Sequence, residues 1–177
     1  MKARPAVSFF ILGLALTPAG AQQRGEATPA AMAACGPSSA SFDVKSDKSQ
    51  QPAPQVPPGK VLVYLFENIA RAPLSGALVR VGVDGQWVGA TLNETYLTFL
   101  VDPGIHHLCV RAQGAAPSLA EDGIALRRLN AQPGKTYYFR AQVLRSEGSG
   151  ITLLDTVDED QAQFLLQTSA RAISHPK

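Results

Sequence analysis

Across residues 60–167 the apolar positions come in short runs, each closed by residues that favour a turn. Residues 60–67 (KVLVYLFE) are apolar at odd and even positions alike, which predicts a strand covered on both faces. Residues 77–83 (ALVRVGV) and 86–91 (QWVGAT) flank Asp84-Gly85. Both central residues of a type I′ turn need positive φ, so Asp-Gly between two apolar runs predicts a hairpin. Runs at 95–101, 105–112, 124–129, 136–144 and 150–157 predict the remaining strands. Pro58-Gly59, Pro103-Gly104 and Pro133-Gly134 introduce three of the runs, in the residue order of a type II turn. Seven to eight short strands, with no alternating helical stretches, predict an all-β fold. The expected architecture is an antiparallel β-sandwich, immunoglobulin- or transthyretin-like. Its expected core is Val61, Val63, Leu65, Val79, Val81, Trp87, Leu97, Phe99, Leu108, Val110, Tyr137, Phe139 and Leu153. One short C-terminal helix is expected, with Asp158 as N-cap, Glu159 and Asp160 in its first turn, and Phe164, Leu165 and Leu166 as its apolar patch.

The flanks read differently. Residues 1–21 have the pattern of a signal peptide: Lys2 and Arg4, an apolar stretch at 6–16, then Ala19-Gly20-Ala21. Cleavage is expected between Ala21 and Gln22. The apolar stretch is shorter than the ~20 residues that span a bilayer. Residues 22–59 carry Pro29, Pro37, Pro52, Pro54, Pro57 and Pro58 among Ala, Ser and Gln, the composition of an extended arm or linker. A short extended piece at 41–44 is expected to dock on the domain. Residues 168–177 read as a loose tail.

The signal changes what the charge means. The chain has 16 basic and 14 acidic residues, and loss of Lys2 and Arg4 leaves a neutral protein. Residues 60–167 hold nine basic and eleven acidic residues, so no nucleic-acid partner is implied. An apolar fraction of 45% excludes disorder throughout. Export to an oxidising compartment, periplasmic or extracellular, allows Cys35 and Cys109 to form a disulfide. Two free thiols are an alternative. Lipidation of Cys35 is another, because Met32-Ala33-Ala34-Cys35 loosely resembles a lipobox, although Gln22, Gln23, Arg24 and Glu26 separate it from the hydrophobic stretch. Membrane attachment follows only in that last case.

Chemistry is sparse. His106, His107 and Cys109 suggest a metal, but adjacent strand residues point to opposite faces, and a zinc site needs three or four convergent ligands. His175 lies far off in the tail. Asp155, Asp158, Glu159 and Asp160 lack the ligand order of a calcium loop and suit a helix start. Arg127-Arg128 fits an edge strand kept from aggregating. The sequence contains no nucleophile elbow, zincin motif, phosphate loop or cofactor motif, and no cofactor is expected. Trp87, Tyr64, Phe66, Tyr96, Phe99, Tyr137, Tyr138 and Phe139 are either core or the lining of a sugar- or peptide-binding face.

Several blocks in order carry a family resemblance. They are residues 59–64 (GKVLVY), 83–89 (VDGQWVG), 101–104 (VDPG) followed by His106-His107-Leu108, and 131–140 (AQPGKTYYFR). Together they resemble the bacterial exported domain of unknown function 2846, and more widely the peptidase-associated and carboxypeptidase-regulatory-like sandwiches. The resemblance implies an accessory β-sandwich without catalytic residues, and it supplies no site residues. Members are often lipid-anchored through a Cys at the signal junction, whereas Cys35 is displaced from that junction here. The functional expectation is an exported, non-catalytic module that binds an envelope protein or a cell-wall polymer. A small metal-dependent or hydrolytic enzyme and a lipid-anchored lipoprotein are the alternatives. The oligomeric state is left open.

Overall fold

A computed structural model describes residues 33–49, 54–67, 78–113, 123–146 and 149–177. Residues 1–32, including Ala21, Gln22 and the expected signal segment, lie outside the described residues. Among the described residues there are ten strands and one helix: β1 (Phe42–Asp47), β2 (Val61–Glu67), β3 (Leu78–Val83), β4 (Gln86–Thr91), β5 (Thr95–Val101), β6 (Gly104–Gln113), β7 (Ile124–Ala131), β8 (Thr136–Ser146), β9 (Ser149–Thr156), α1 (Glu159–Thr168) and β10 (Ala170–Pro176). They form a six-stranded sheet in the order β1-β10-β5-β2-β8-β9 and a four-stranded sheet in the order β4-β3-β6-β7.

The all-β, two-sheet reading of the sequence holds, with two corrections. There are ten strands among the described residues rather than seven or eight, and the larger sheet is mixed. β8 runs parallel to β2, and β10 runs parallel to β5. Between β2 and β8, its parallel neighbour, the chain supplies β5 to the same sheet and β3, β4, β6 and β7 to the other. The second parallel pair arises because α1 carries the chain back along the sheet before β10 begins.

Turn chemistry places the strands. Asp84 and Gly85 have φ of 50° and 88°, the positive values that join β3 to β4. Lys60 N donates to Pro57 O and Lys135 N to Gln132 O, closing the Pro-Gly turns before β2 and β8.

The expected loose tail is instead strand β10, paired with β1 from Phe42↔Pro176 to Asp47↔Arg171. Neither strand is rich in apolar residues, so neither announces itself by burial; each is held by the other's backbone. β10 meets β5 at only two positions, Ala170↔Thr95 and Arg171↔Tyr96. It then leans towards the four-stranded sheet, where Ser174 Oγ accepts from Ala90 N at 2.9 Å. That contact closes one corner of the sandwich.

β2 is buried along its whole length because it has cover on both sides. Val61, Val63 and Leu65 face the inter-sheet core with Val79, Val81, Leu108, Val110 and Phe139. Leu62, Tyr64 and Phe66 face outward and are covered by Ala162 and Leu165 of α1. Two core expectations are corrected. Leu154, opposite Ala141, occupies the core in place of Leu153. Trp87 faces outward because a register shift between Val81 and Gly82 sets it opposite Gly82 and reverses its face.

Candidate functional site

Each outer face of the sandwich, and each end of its core, has distinct chemistry. The outer face of the four-stranded sheet is crossed by residues 33–41. Cys35 is joined to Cys109 of β6 by a disulfide with Cα atoms 5.2 Å apart. Gly85 N donates to Ala34 O, and Trp87 Nε1 donates to Pro37 O at 2.8 Å. Arg80, 5% exposed, donates to the carbonyls of Ser38 and Ala40 and lies 4.7 Å from the centre of the Trp87 ring. Burial and the neighbouring Arg111 lower its pKa. Gly82 admits the arm, because a Cβ there would meet Ala34 O at 3.0 Å. These contacts seal the face.

At one end of the core, β6 carries the ion pair that the metal reading of the sequence missed. His106 Nδ1 lies 2.6 Å from Asp84 Oδ2, and His106 Nε2 lies 2.8 Å from the carbonyl oxygen of Asp102. Asp84 Oδ1 also accepts from His107 N at 2.8 Å. A carbonyl only accepts, so Nε2 carries a proton, and a second proton on Nδ1 makes the ring an imidazolium. Burial opposes that charge, but the hydrogen bonds to Asp84 and Asp102 and their negative charges outweigh it and raise the His106 pKa. For Asp84, burial pushes upward, yet the bonds from His106 and His107 hold its pKa below the ordinary carboxylate range. With both ring nitrogens engaged, His106 clamps the β3–β4 hairpin to the β5–β6 turn and offers no general base.

At the other end sits Glu67, fully buried at the last position of β2. Among the described residues, neither carboxyl oxygen has a hydrogen-bond partner, while the nearby Thr91 hydroxyl points to the Val79 carbonyl at 3.3 Å. Burial pushes this carboxyl up to about 7, with Thr91 pulling weakly the other way.

The open feature lies on the outer face of the six-stranded sheet, beside α1. Tyr64, Tyr96, Tyr138 and Phe66 form one aromatic cluster, with Tyr64 and Tyr138 stacked at 5.4 Å and Tyr64 and Tyr96 tilted at 6.0 Å. α1 covers the cluster only in part. A cavity of about 420 Å³ is left, floored by Tyr64, Tyr96 and Thr98. Gln163, Leu166 and Gln167 of α1 form one wall; Asp47, Lys48 and Arg171 form the other. A second recess of about 440 Å³ shares Lys48, Gln167, Ser169 and Ala170 with it. Both fall in the size range of small-molecule sites, ~300–1,000 Å³. Burial and the neighbouring phenols raise the Tyr64 pKa, so its hydroxyl stays neutral and can donate.

The other sequence candidates scatter. His107 and Cys109 share the sealed face, Cys109 in its bridge, and His175 lies exposed on β10 opposite Asp43. Among the described residues, no three His, Cys, Asp or Glu side chains gather as metal ligands. Asp158 is the N-cap of α1 and accepts from Gln161 N at 2.8 Å, with Glu159 and Asp160 following it. Arg127 lies on β7, an edge strand of the smaller sheet, and reaches Thr156 Oγ1 at 3.4 Å. Sequence reasoning missed Arg171, Asp47 and Gln167. Arg171 falls in the expected tail, Gln167 just before it, and Asp47 in the expected arm. The available signal was the aromatic residue at outward positions of three runs, Tyr64, Tyr96 and Tyr138.

Among the described residues, no helix is long and apolar enough to cross a membrane. Set against known proteins, the chain matches no family model, no curated protein and no solved structure.

Proposed function

We propose that this chain is an exported, non-catalytic β-sandwich module that binds a cell-wall polymer in the groove beside α1. The observation that carries the proposal is the groove itself. Aromatic rings form its floor, and amide, hydroxyl and charged side chains form its walls. Tyrosine offers an apolar ring face and a polar tip, which suits the mixed surface of a sugar. The engagement of both nitrogens of His106 favours binding over hydrolysis. Export rests on Lys2, Arg4 and the apolar stretch before Ala19-Gly20-Ala21. The Cys35–Cys109 bridge favours an oxidising compartment and a form without a lipid on Cys35. Kinship with the domain of unknown function 2846, and an immunoglobulin- or transthyretin-like architecture, belong to the same proposal and rest on the sequence pattern alone.

Co-sedimentation of the mature protein with purified, protein-free cell-wall polymer tests it. Binding that Tyr96→Ala abolishes and Arg128→Ala leaves intact is the expected result. Binding to envelope proteins but not to the stripped polymer would replace the polymer with a protein partner.

A further inference from the structure

We propose that the groove selects a pyranose bearing a carboxylate, with the acid group on Arg171 and the sugar ring against Tyr96. This rests on the reading of the groove as a glycan site. Strand register places the chemistry. Asp47 of β1 lies opposite Arg171 of β10, Arg171 opposite Tyr96 of β5, and Tyr96 opposite Phe66 of β2. Residues in one cross-strand row share a face. The guanidinium therefore stands between a carboxylate and a phenol ring, half-buried at the groove wall.

Arg171 forms no ion pair or side-chain hydrogen bond among the described residues. Asp47 turns Oδ1 to Ser49, accepting from its N–H at 2.9 Å and from its hydroxyl at 2.7 Å. A guanidinium presents a planar fork that matches a carboxylate by two parallel bonds. Lys48 adds a second positive charge where the two recesses meet.

The same geometry argues against other ligands. An extended peptide is commonly held by adding a strand to a sheet edge. At this level β10 already fills the space between β1 and β5, so recognition falls to side chains. A phosphate dianion favours clusters of cations or a helix N-terminus. Here α1 presents its C-terminal turn, Gln167 to Ser169, whose partial negative charge opposes a dianion more than a single carboxylate.

Calorimetric titration of the mature protein with tetragalacturonate and with its methyl ester tests the proposal. The acid should bind at least tenfold tighter than the ester. Arg171→Gln should abolish the preference, leaving acid and ester with equal affinity. Arg171→Lys, which keeps the charge and the strand, should retain part of the preference. Tyr96→Ala should weaken both ligands, and melting curves check that each variant folds. Equal affinity for acid and ester, or a preference that survives Arg171→Gln, overturns the carboxylate assignment while leaving the groove as a glycan site. Failure of both ligands, with Tyr96-dependent polymer binding intact, also overturns only the carboxylate assignment. Polymer binding indifferent to Tyr96 overturns the glycan reading itself.

Discussion

On the four-stranded sheet the arm lies flat across the strands, pinned by a disulfide, by the Trp87 indole and by Arg80. On the six-stranded sheet the cover is a ten-residue helix that rests on Leu62, Tyr64 and Phe66 and leaves a cavity between itself and β1 and β10. The arm touches its sheet through covalent and polar contacts that follow the surface closely. The helix touches its sheet through Ala162, Leu165 and the partly buried Leu166, and cannot follow the twist of six strands. A flat cover closes a face; a rod laid on a twisted sheet leaves a trough. The same fold therefore has one finished surface and one surface available for a ligand.

The largest effect should come from cutting the covalent pin. The bridge spans 74 positions, and its loss should cost up to ~4 kcal/mol in the chain-entropy account. Urea denaturation of Cys35→Ser or of the reduced protein measures this, and Trp87, the single tryptophan, reports the arm by its fluorescence. An unchanged midpoint and unchanged emission would mean that Arg80 and Trp87 hold the arm without the bridge, and the covalent side of the comparison would break.

Next in size is the pH response of the strand that carries Tyr64. The folded-state pKa of Glu67 is raised from an ordinary 4.5 to about 7. Between those values the folded chain keeps a proton that the unfolded chain has lost, so stability falls as pH rises through the window. The full effect is about 3 kcal/mol, from 1.36 kcal/mol per pKa unit. Glu67→Gln should flatten the profile between pH 4.5 and 7 and be the more stable protein at pH 8. A profile that Glu67→Gln leaves unchanged would contradict the buried, unpartnered carboxyl.

The smallest effect belongs to the sealed sheet, where His106 clamps the hairpin. Its pKa is raised, so its contribution is complete below the ordinary histidine value and is lost as pH rises through the folded-state value. The matching Asp84 contribution, with a lowered pKa, is lost only as pH falls through its folded-state value. For a partly exposed pair the sum should stay below ~1 kcal/mol. Side-chain NMR titration should show His106 deprotonating at higher pH than it does in Asp84→Asn. Equal titration in the two proteins would remove the ion pair from the account.

Much of this frame was legible from residues in order. The Asp84-Gly85 hairpin, the double-faced run at 60–67 and the Asp158 cap are local features, and local chemistry placed them. Burial on both faces of 60–67 even signalled a second cover, which proved to be α1. The groove was not legible, because its walls depend on pairing distant segments. Asp47 and Arg171 become neighbours only once β1 pairs with β10, and those strands carry too few apolar residues to reveal themselves. Trp87 was misplaced for a related reason: one bulge reverses a strand's faces, and alternation cannot show where it falls.

The central claim is that ligand meets the trough beside α1 and leaves the arm-covered face untouched. Amide and side-chain NMR of the mature protein, titrated with a soluble carboxylated oligosaccharide, tests this most directly. Shifts confined to Tyr96, Arg171, Gln167 and Lys48, with the Trp87 indole and Arg80 unmoved, are the predicted result. Shifts centred on Trp87 and Arg80, with Tyr96 and Arg171 unmoved, would contradict it.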